Sequence, residues 1–339
     1  MSMPESAERI ITFSQAVNEA LAEEMRREKT VFIIGEDVAE AGTPFKVLSG
    51  LVEEFGTERV LDSPISESGF TGIGVGTAMT GMRPVVDIMF GDFMTITMDQ
   101  IVNQAAKIHY MSGGKLKVPR VVRTNLGASR RSGAQHSQSL HVWLSHIPGL
   151  KVVIPGLKVV LPSTPYDAKG LLKTAIRDEN PVVIFEDKMM FQDKGNVPED
   201  DYTIPFGVAD IKKEGTDITL IGTSSMVQIA LEAADILAEK DISAEVIDPR
   251  TVMPLDKKTL IESAIKTSRV IVIDEGYDSY GVTAEIASVI AEGAFFHLEA
   301  PVKRIGAMDV PIPFSPVLED LTVPNARMVV GMAESLCAA

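Results

Sequence analysis

The chain has 339 residues, enough for about two domains, and its 45% hydrophobic and 23% charged residues describe a globular fold rather than a disordered or collagen-like one. Its 32 Lys and Arg stand against 47 Asp and Glu, a formal charge of −15 that argues against a nucleic-acid partner. The single cysteine, Cys337, excludes an intrachain disulfide and dithiol chemistry, and with no signal-like or membrane-spanning apolar stretch in view the expected location is the cytoplasm.

Short β-branched runs alternate with longer segments of helical period, which predicts α/β layering with mostly parallel strands. Strands are expected at Thr30–Gly35, Arg59–Ile65, Pro84–Phe90, Val118–Thr124 and Pro181–Glu186. Helices are expected at Phe13–Arg27 and at Phe93–Met111, the latter with Ile96, Ile101, Val102, Ala105 and Ile108 on one face. Residues 148–154 read PGLKVVI and 155–161 read PGLKVVL, a local duplication of which only one copy can fill a given strand position. Either copy is open on sequence grounds. The polar, proline-bearing stretch 192–206 reads as a connection, so residues 1–191 form one expected domain and 207–339 another. In the second, strands at Asp217–Thr223, Ala244–Asp248 and Val270–Asp274 alternate with helices near Ser225–Lys240 and Asp256–Thr267. The expected architecture is therefore two doubly wound, mostly parallel-sheet α/β domains.

The glycine run SESGFTGIGVGTAMTG follows the second strand as a dinucleotide fingerprint would. Yet Glu67 stands where the phosphates would lie, and a carboxylate at a helix N-terminus repels a diphosphate. The glycines read instead as close helix packing. Glu67 itself reads either as a dipole-stabilised first-turn residue or as a partly desolvated carboxylate able to share a proton with a heterocycle, because it sits at the rim where open α/β sheets bind ligands. His136, His141 and His146 are spaced five apart, which scatters their rings around a helix and gives no zinc pattern. His136, after the segment LGASRRSGA, falls near a strand-to-helix turn and suits either general-acid work or a hydrogen-bonded core position. Neither a GxSxG elbow nor a P-loop lysine motif occurs.

Seven segments in order carry a family resemblance: GEDVAE (35–40), DSPISESGFTGIGVG (62–76), GMRPVVDIMFGDF (81–93), DQIVNQAAKIHYMSGG (99–114), GAQHSQS (133–139), DAKGLLKTAIRDENPVV (167–183) and DYTIPFG (201–207). The chain resembles the β subunit of the thiamine-diphosphate-dependent decarboxylase component of 2-oxo acid (pyruvate-type) and acetoin dehydrogenase complexes, from about Thr12 to Ala333. The resemblance implies a pyrimidine-binding domain and a transketolase-type C-terminal assembly domain. It assigns Glu67 to the carboxylate that hydrogen-bonds the cofactor's aminopyrimidine, Phe93 to the ring stacked on it, Glu36 to a second acid nearby and Ile65 to the pocket wall. His136 matches the histidine that moves a proton when the acyl group passes to a lipoyl arm. The segment AIRDENP resembles a potassium loop, with oxygens from Ala175, Ile176, Asp178 and Asn180 and the carbonyl of Arg120.

Thiamine enzymes hold the diphosphate through Mg²⁺ at a GDG-type motif, and the one Gly-Asp pair here, Gly91–Asp92, continues into Phe93. The resemblance therefore implies an α subunit that supplies the Mg²⁺ site, an assembly of two α and two β chains with a β–β contact, and docking to a lipoyl acyltransferase core. The stretch from Glu186 to Ile211, with Arg131, looks closer to acetoin-type than to branched-chain relatives, and pyruvate-type relatives remain close. Two other readings stand beside this one: a scaffold subunit impaired by the duplication at 148–161, and an NAD-binding oxidoreductase.

Overall fold

The structure, a computed structural model, describes residues 8–148 and 157–338. It divides into two compact units, one of residues 1–125 and 147–206 and one of residues 126–146 and 207–339.

In the first unit a parallel sheet runs in the order β6 (Lys158–Val160), β7 (Val182–Asp187), β5 (Val121–Leu126), β4 (Arg83–Ile88), β2 (Val31–Gly35), β3 (Val60–Asp62). Its strands are buried on both faces and carry continuous Val and Ile runs, as a sheet covered on both sides requires. Helix α1 (Phe13–Arg27) begins on a capping box in which Thr12 and Gln15 satisfy one another's backbone N–H groups, and its Phe13, Val17, Leu21 and Met25 stripe enters the core. It packs against α6 (Pro165–Arg177), where the buried Lys169 reaches Glu23 at 2.8 Å and Arg177 reaches Glu24 at 2.6 Å. The short α2 (Leu51–Phe55) follows β2. Helix α3 (Glu67–Met79) lies against β4, with Gly74 so close to Val86 that a Cβ there would stand 2.5 Å from its methyl group. Its Val75 and Ala78 form a second small core with Ala105 and Val118.

The expected helix Phe93–Met111 is three pieces: a 3-10 turn over Gly91–Thr97, a π-helical stretch over Asp99–Ala105, and α4 (Ala106–Met111). The tight segment followed by the wide one changes the angular phase, so Ile101 is buried while Ile96 is 53% exposed. The stretch 192–206, expected as a connection, is packed on the first unit: β8 (Lys194–Asn196) pairs antiparallel with β1 (Ile10–Thr12), Tyr202 stacks on Tyr166 with ring centroids 4.5 Å apart, and Ile204 is buried. Strand β6 falls on the second PGLKVV copy; residues 149–156, with most of the first copy, lie outside the described residues.

The second unit holds a sheet in the order β14 (Lys303–Ala307), β13 (Val270–Tyr277), β10 (Ile218–Gly222), β11 (Ala244–Asp248), β9 (Asp210–Lys213), with only β9 antiparallel. Strand β12 (Thr251–Met253) lies outside that sheet. Helix α7 (Met226–Ala238) packs with α11 (Ala326–Cys337), and α8 (Lys257–Thr267) with α9 (Val282–Ala294). The unit also carries α5 (His141–Ser145) and α10 (Pro316–Thr322).

Candidate active site

The first sheet changes direction at β2: the chain adds β3 on one side, then β4, β5 and β7 on the other. Open α/β sheets bind ligands in the crevice outside the carboxyl ends of strands at such a point. Three of the sequence-derived site residues emerge there. Glu36 directly follows β2, Glu67 opens the helix after β3, and Phe93 lies in the turn after β4.

Glu67 is only 7% exposed, at the first position of a thirteen-residue helix whose N-terminal N–H groups offer positive potential to an anion. Ser66 provides no side-chain cap, so the backbone there is left to other partners. The two acids come together: the Ser66 N–H donates to the Glu36 carboxylate, and Ser63 N–H reaches Gly35 O at 2.8 Å, tying the ends of β2 and β3. Burial raises the Glu36 carboxyl above its ordinary value, and the Glu67 charge adds to the rise. Glu36 Oε1 is buried without a protein partner, an acceptor awaiting a donor. Ile65 stands 84% exposed beside them. Phe93 is half-buried at the edge of an aromatic cluster, edge-on to Phe90 at 5.8 Å, which in turn meets Phe45 at 6.0 Å.

The raised Glu36 carboxyl gives a pH prediction with a definite sign. An acid whose folded value exceeds its unfolded one binds more protons in the native state, so stability falls as pH rises from the unfolded value of about 4.5 through the folded value. Glu36→Gln is expected to flatten that part of the thermal-midpoint profile between pH 4 and 7, and an unchanged slope would remove Glu36 as its source.

Sequence reasoning missed the group beneath this crevice. Arg123 on β5 donates through Nε and Nη2 to Glu186 on β7, at 2.7 and 2.6 Å, and through Nη1 to Asp87 on β4. All three are buried. Burial raises both carboxyl groups against the opposing pull of Arg123, while the two anions raise the guanidinium despite its burial. The signal was present as the charges Asp87, Arg123 and Glu186 inside the apolar runs VVDI, VVRTNL and VVIFED.

The potassium-loop residues lie at the opposite end of β5 and β7. The carbonyls of Ile176 and Asp178 each accept from Arg83 Nη1 at 3.0 Å, Arg120 O accepts from Val182 N–H at 2.9 Å, and the Asp178 carboxylate is paired with Lys158. The Arg120 side chain is buried under α3, with Nη1 at 3.4 Å from Thr71 O, and burial lowers it to about 9.

His136 belongs to the second unit, in the loop between β5 and α5, where its N–H reaches Gly133 O at 3.2 Å. Carboxylates of that unit mount the loop. Glu275 accepts from Ala128 N–H at 2.7 Å; the buried Glu319 accepts from Ser129 N–H at 2.8 Å and pairs with Arg131 at 2.7 Å. Ser129 and Arg131 both have left-handed backbones, at φ 66° and 57°, a conformation costly for residues with a Cβ and sustained here by those contacts. At the far end of the loop, His141 Nε2 lies 3.2 Å from Asp274 Oδ2, both side chains buried. Burial pushes the Asp274 carboxyl up, but His141, Thr223 and the Gly276 N–H outweigh it and hold it below the usual aspartate value.

Comparison with known proteins follows the same division. The family described as "Transketolase, pyrimidine binding domain" matches residues 9–194, and "Transketolase, C-terminal domain" matches residues 207–329. Among solved structures, the chain "Split gene transketolase, inactive beta4 tetramer" superposes with a TM-score of 0.73 at 24% identity over 97% of this chain and 98% of that one. The transketolase from Leishmania mexicana gives 0.71 at 16% identity, over 99% of this chain and 47% of that one. These likenesses define the class: a transketolase-type pair of α/β domains.

Closer relatives narrow it. The chain is 49% identical over 340 residues to the acetoin:2,6-dichlorophenolindophenol oxidoreductase subunit beta of Bacillus subtilis, covering 97% of each. It is 45% identical over 330 residues to the pyruvate dehydrogenase E1 component subunit beta of Rickettsia felis, over 96% of this chain and 98% of the relative. The 2-oxoisovalerate dehydrogenase subunit beta of Bacillus subtilis is 45% identical over 322 residues, 94% and 96% of the two chains. The chain belongs to the family of β subunits of pyruvate, acetoin and 2-oxoisovalerate dehydrogenases.

Proposed function

We propose that this chain is the β subunit of a thiamine-diphosphate-dependent dehydrogenase acting with an α subunit in an assembly of two α and two β chains, with acetoin as its substrate and pyruvate as the nearest alternative. The observation that carries the cofactor reading is the buried Glu67 carboxylate at the start of α3 beside Glu36 and its unpartnered Oε1. A buried acid and a half-buried one, next to an aromatic ring and an exposed aliphatic side chain, suit a flat nitrogen heterocycle with an exocyclic amine. The lead of the acetoin-acting relative, 49% against 45% identity, supports that substrate.

When bound, thiamine diphosphate supplies the nucleophile and electron sink for cleaving a carbon–carbon bond next to a carbonyl. Glu67 then holds a proton at a ring nitrogen of the pyrimidine, and Glu36 takes a donor on Oε1. Phe93 offers the face on which the ring stacks, and Ile65 closes the pocket wall. His136 moves a proton during acyl transfer to a lipoyl arm. The α subunit supplies the Mg²⁺ site, and the lipoyl acyltransferase core accepts the acyl unit. A potassium ion at Ala175, Ile176, Asp178, Asn180 and the Arg120 carbonyl would share the Ile176 and Asp178 carbonyls with Arg83 and the Asp178 carboxylate with Lys158, each oxygen having a further lone pair. The cytoplasm is the proposed location; among the described residues no helix is long and apolar enough to cross a membrane.

Co-expression with candidate α subunits tests the reading. Dichlorophenolindophenol reduction is measured with acetoin, pyruvate and 2-oxoisovalerate, with and without thiamine diphosphate and Mg²⁺. Activity that needs both subunits and the cofactor, and is fastest on acetoin, is expected. Cofactor-independent turnover, or none with any of the three, would overturn it.

A further inference from the structure

The second sheet has a switch point of its own, between β10 and β13, and this crevice is filled by the chain itself. Thr223 follows the end of β10 and lies next to Asp274 of β13, since Gly222 pairs with Ile273. The Asp274 carboxylate is held at both oxygens, Oδ1 accepting from the Thr223 hydroxyl and Oδ2 from Gly276 N–H at 2.8 Å, and His141 Nε2 stands 3.2 Å from Oδ2. A ligand crevice lined by a polarised carboxylate is thus closed by a histidine five residues beyond His136. The 3.2 Å approach of Nε2 to the Asp274 carboxylate, with both side chains buried, fixes where that ring sits. The other end of the loop is held at Glu275 and Glu319, so the loop from Ala128 to His141 is fastened at both ends and His136 lies between the fastenings.

We propose that His141, seated on Asp274, is a positioning residue for acyl transfer: it fixes the carboxyl-terminal end of the loop that presents His136. This rests on the reading of His136 as the proton-transfer group. A misplacement of about 1 Å costs on the order of 10²-fold in a step that depends on aligned groups. The reactions that do not use His136 should not register it.

The test uses the enzyme reconstituted with its α subunit and two readouts: substrate cleavage coupled to dichlorophenolindophenol, which bypasses the lipoyl arm, and acylation of a free lipoyl domain. His141→Leu keeps the ring's bulk and removes the nitrogen that faces Asp274; His141→Gln keeps an amide N–H near the Nε2 position. The expected result is a fall of about 10²-fold in the rate of lipoyl acylation for His141→Leu, dye reduction within about twofold of the parent, and recovery of most of the acylation rate in His141→Gln. Acylation at the parental rate by His141→Leu would overturn the proposal. So would equal loss of assembly and of both activities in His141→Leu and His141→Gln, which would make the pair purely structural. His136→Gln, measured in parallel, separates the two layers. If it acylates normally, the role of His136 fails and the positioning role with it; if it alone loses acylation while His141→Leu does not, only the positioning role fails.

Discussion

Glu67→Gln in the reconstituted enzyme is expected to lower cofactor-dependent turnover by roughly 10²–10⁴-fold, the range that removal of a general acid–base group produces. Glutamine fills the same volume in a site that is only 7% exposed and still hydrogen-bonds, so the fold and subunit assembly should persist. What glutamine cannot do is take up and release the proton that the proposed role assigns to Glu67. The neighbouring Glu36 cannot substitute, because burial and the Glu67 charge both favour its neutral form, and it begins from a different strand end. Turnover, circular dichroism and gel filtration on the same preparation decide the matter. Turnover within about threefold of the parent, with the assembly intact, would remove Glu67 from the chemistry.

The second large effect is on stability. Arg123→Met deletes the group that pairs with Asp87 and Glu186 at once, leaving two buried carboxylates facing one another across β5. Breaking such a pair from one side costs about 3–5 kcal/mol, a large part of the 5–15 kcal/mol that holds a typical domain. Urea denaturation followed by tryptophan-independent circular dichroism should show the midpoint moving down accordingly. Lysine should not restore it, since one ammonium cannot replace a fork that reaches two strands. A midpoint shifted by less than about 1 kcal/mol would mean that both acids are protonated in the native state.

Legibility in the sequence followed the physics of each element. Helix α1 was readable to the residue because Thr12 and Gln15 announce its start and its apolar stripe keeps one period throughout. The position of Glu67 at the start of a helix was readable because a run of small and apolar residues follows it directly after a strand. The helix expected from Phe93 to Met111 was misread because periodicity assumes a constant number of residues per turn, and the chain spends seven residues in a tight turn and seven in a wide one. The stretch 192–206 looked unstructured by composition, yet Tyr202 and Ile204 find partners on α6 that are distant in sequence. The Arg123 group escaped notice for the same reason: Asp87, Arg123 and Glu186 stand on three different strands and have meaning only once the strand order brings them together. Likewise, Asp274 and His141 are 133 positions apart, and neither carries a local motif.

The division of the chain into units has a consequence for how its parts can be handled. Residues 126–146 leave the first sheet at the end of β5, fold with the second unit, and the chain then returns to complete the first. No single cut can separate the two units with each one whole. A fragment ending at 206 would contain His136 but none of Asp274, Glu275 and Glu319, while a fragment beginning at 207 would contain those three acids with nothing to hold. Limited proteolysis near 206 or expression of the halves on separate messages should therefore give pieces that recover function only when mixed. Evolutionary shuffling of either half alone would forfeit the anchoring of the loop that carries His136, binding the two domains into one heritable unit.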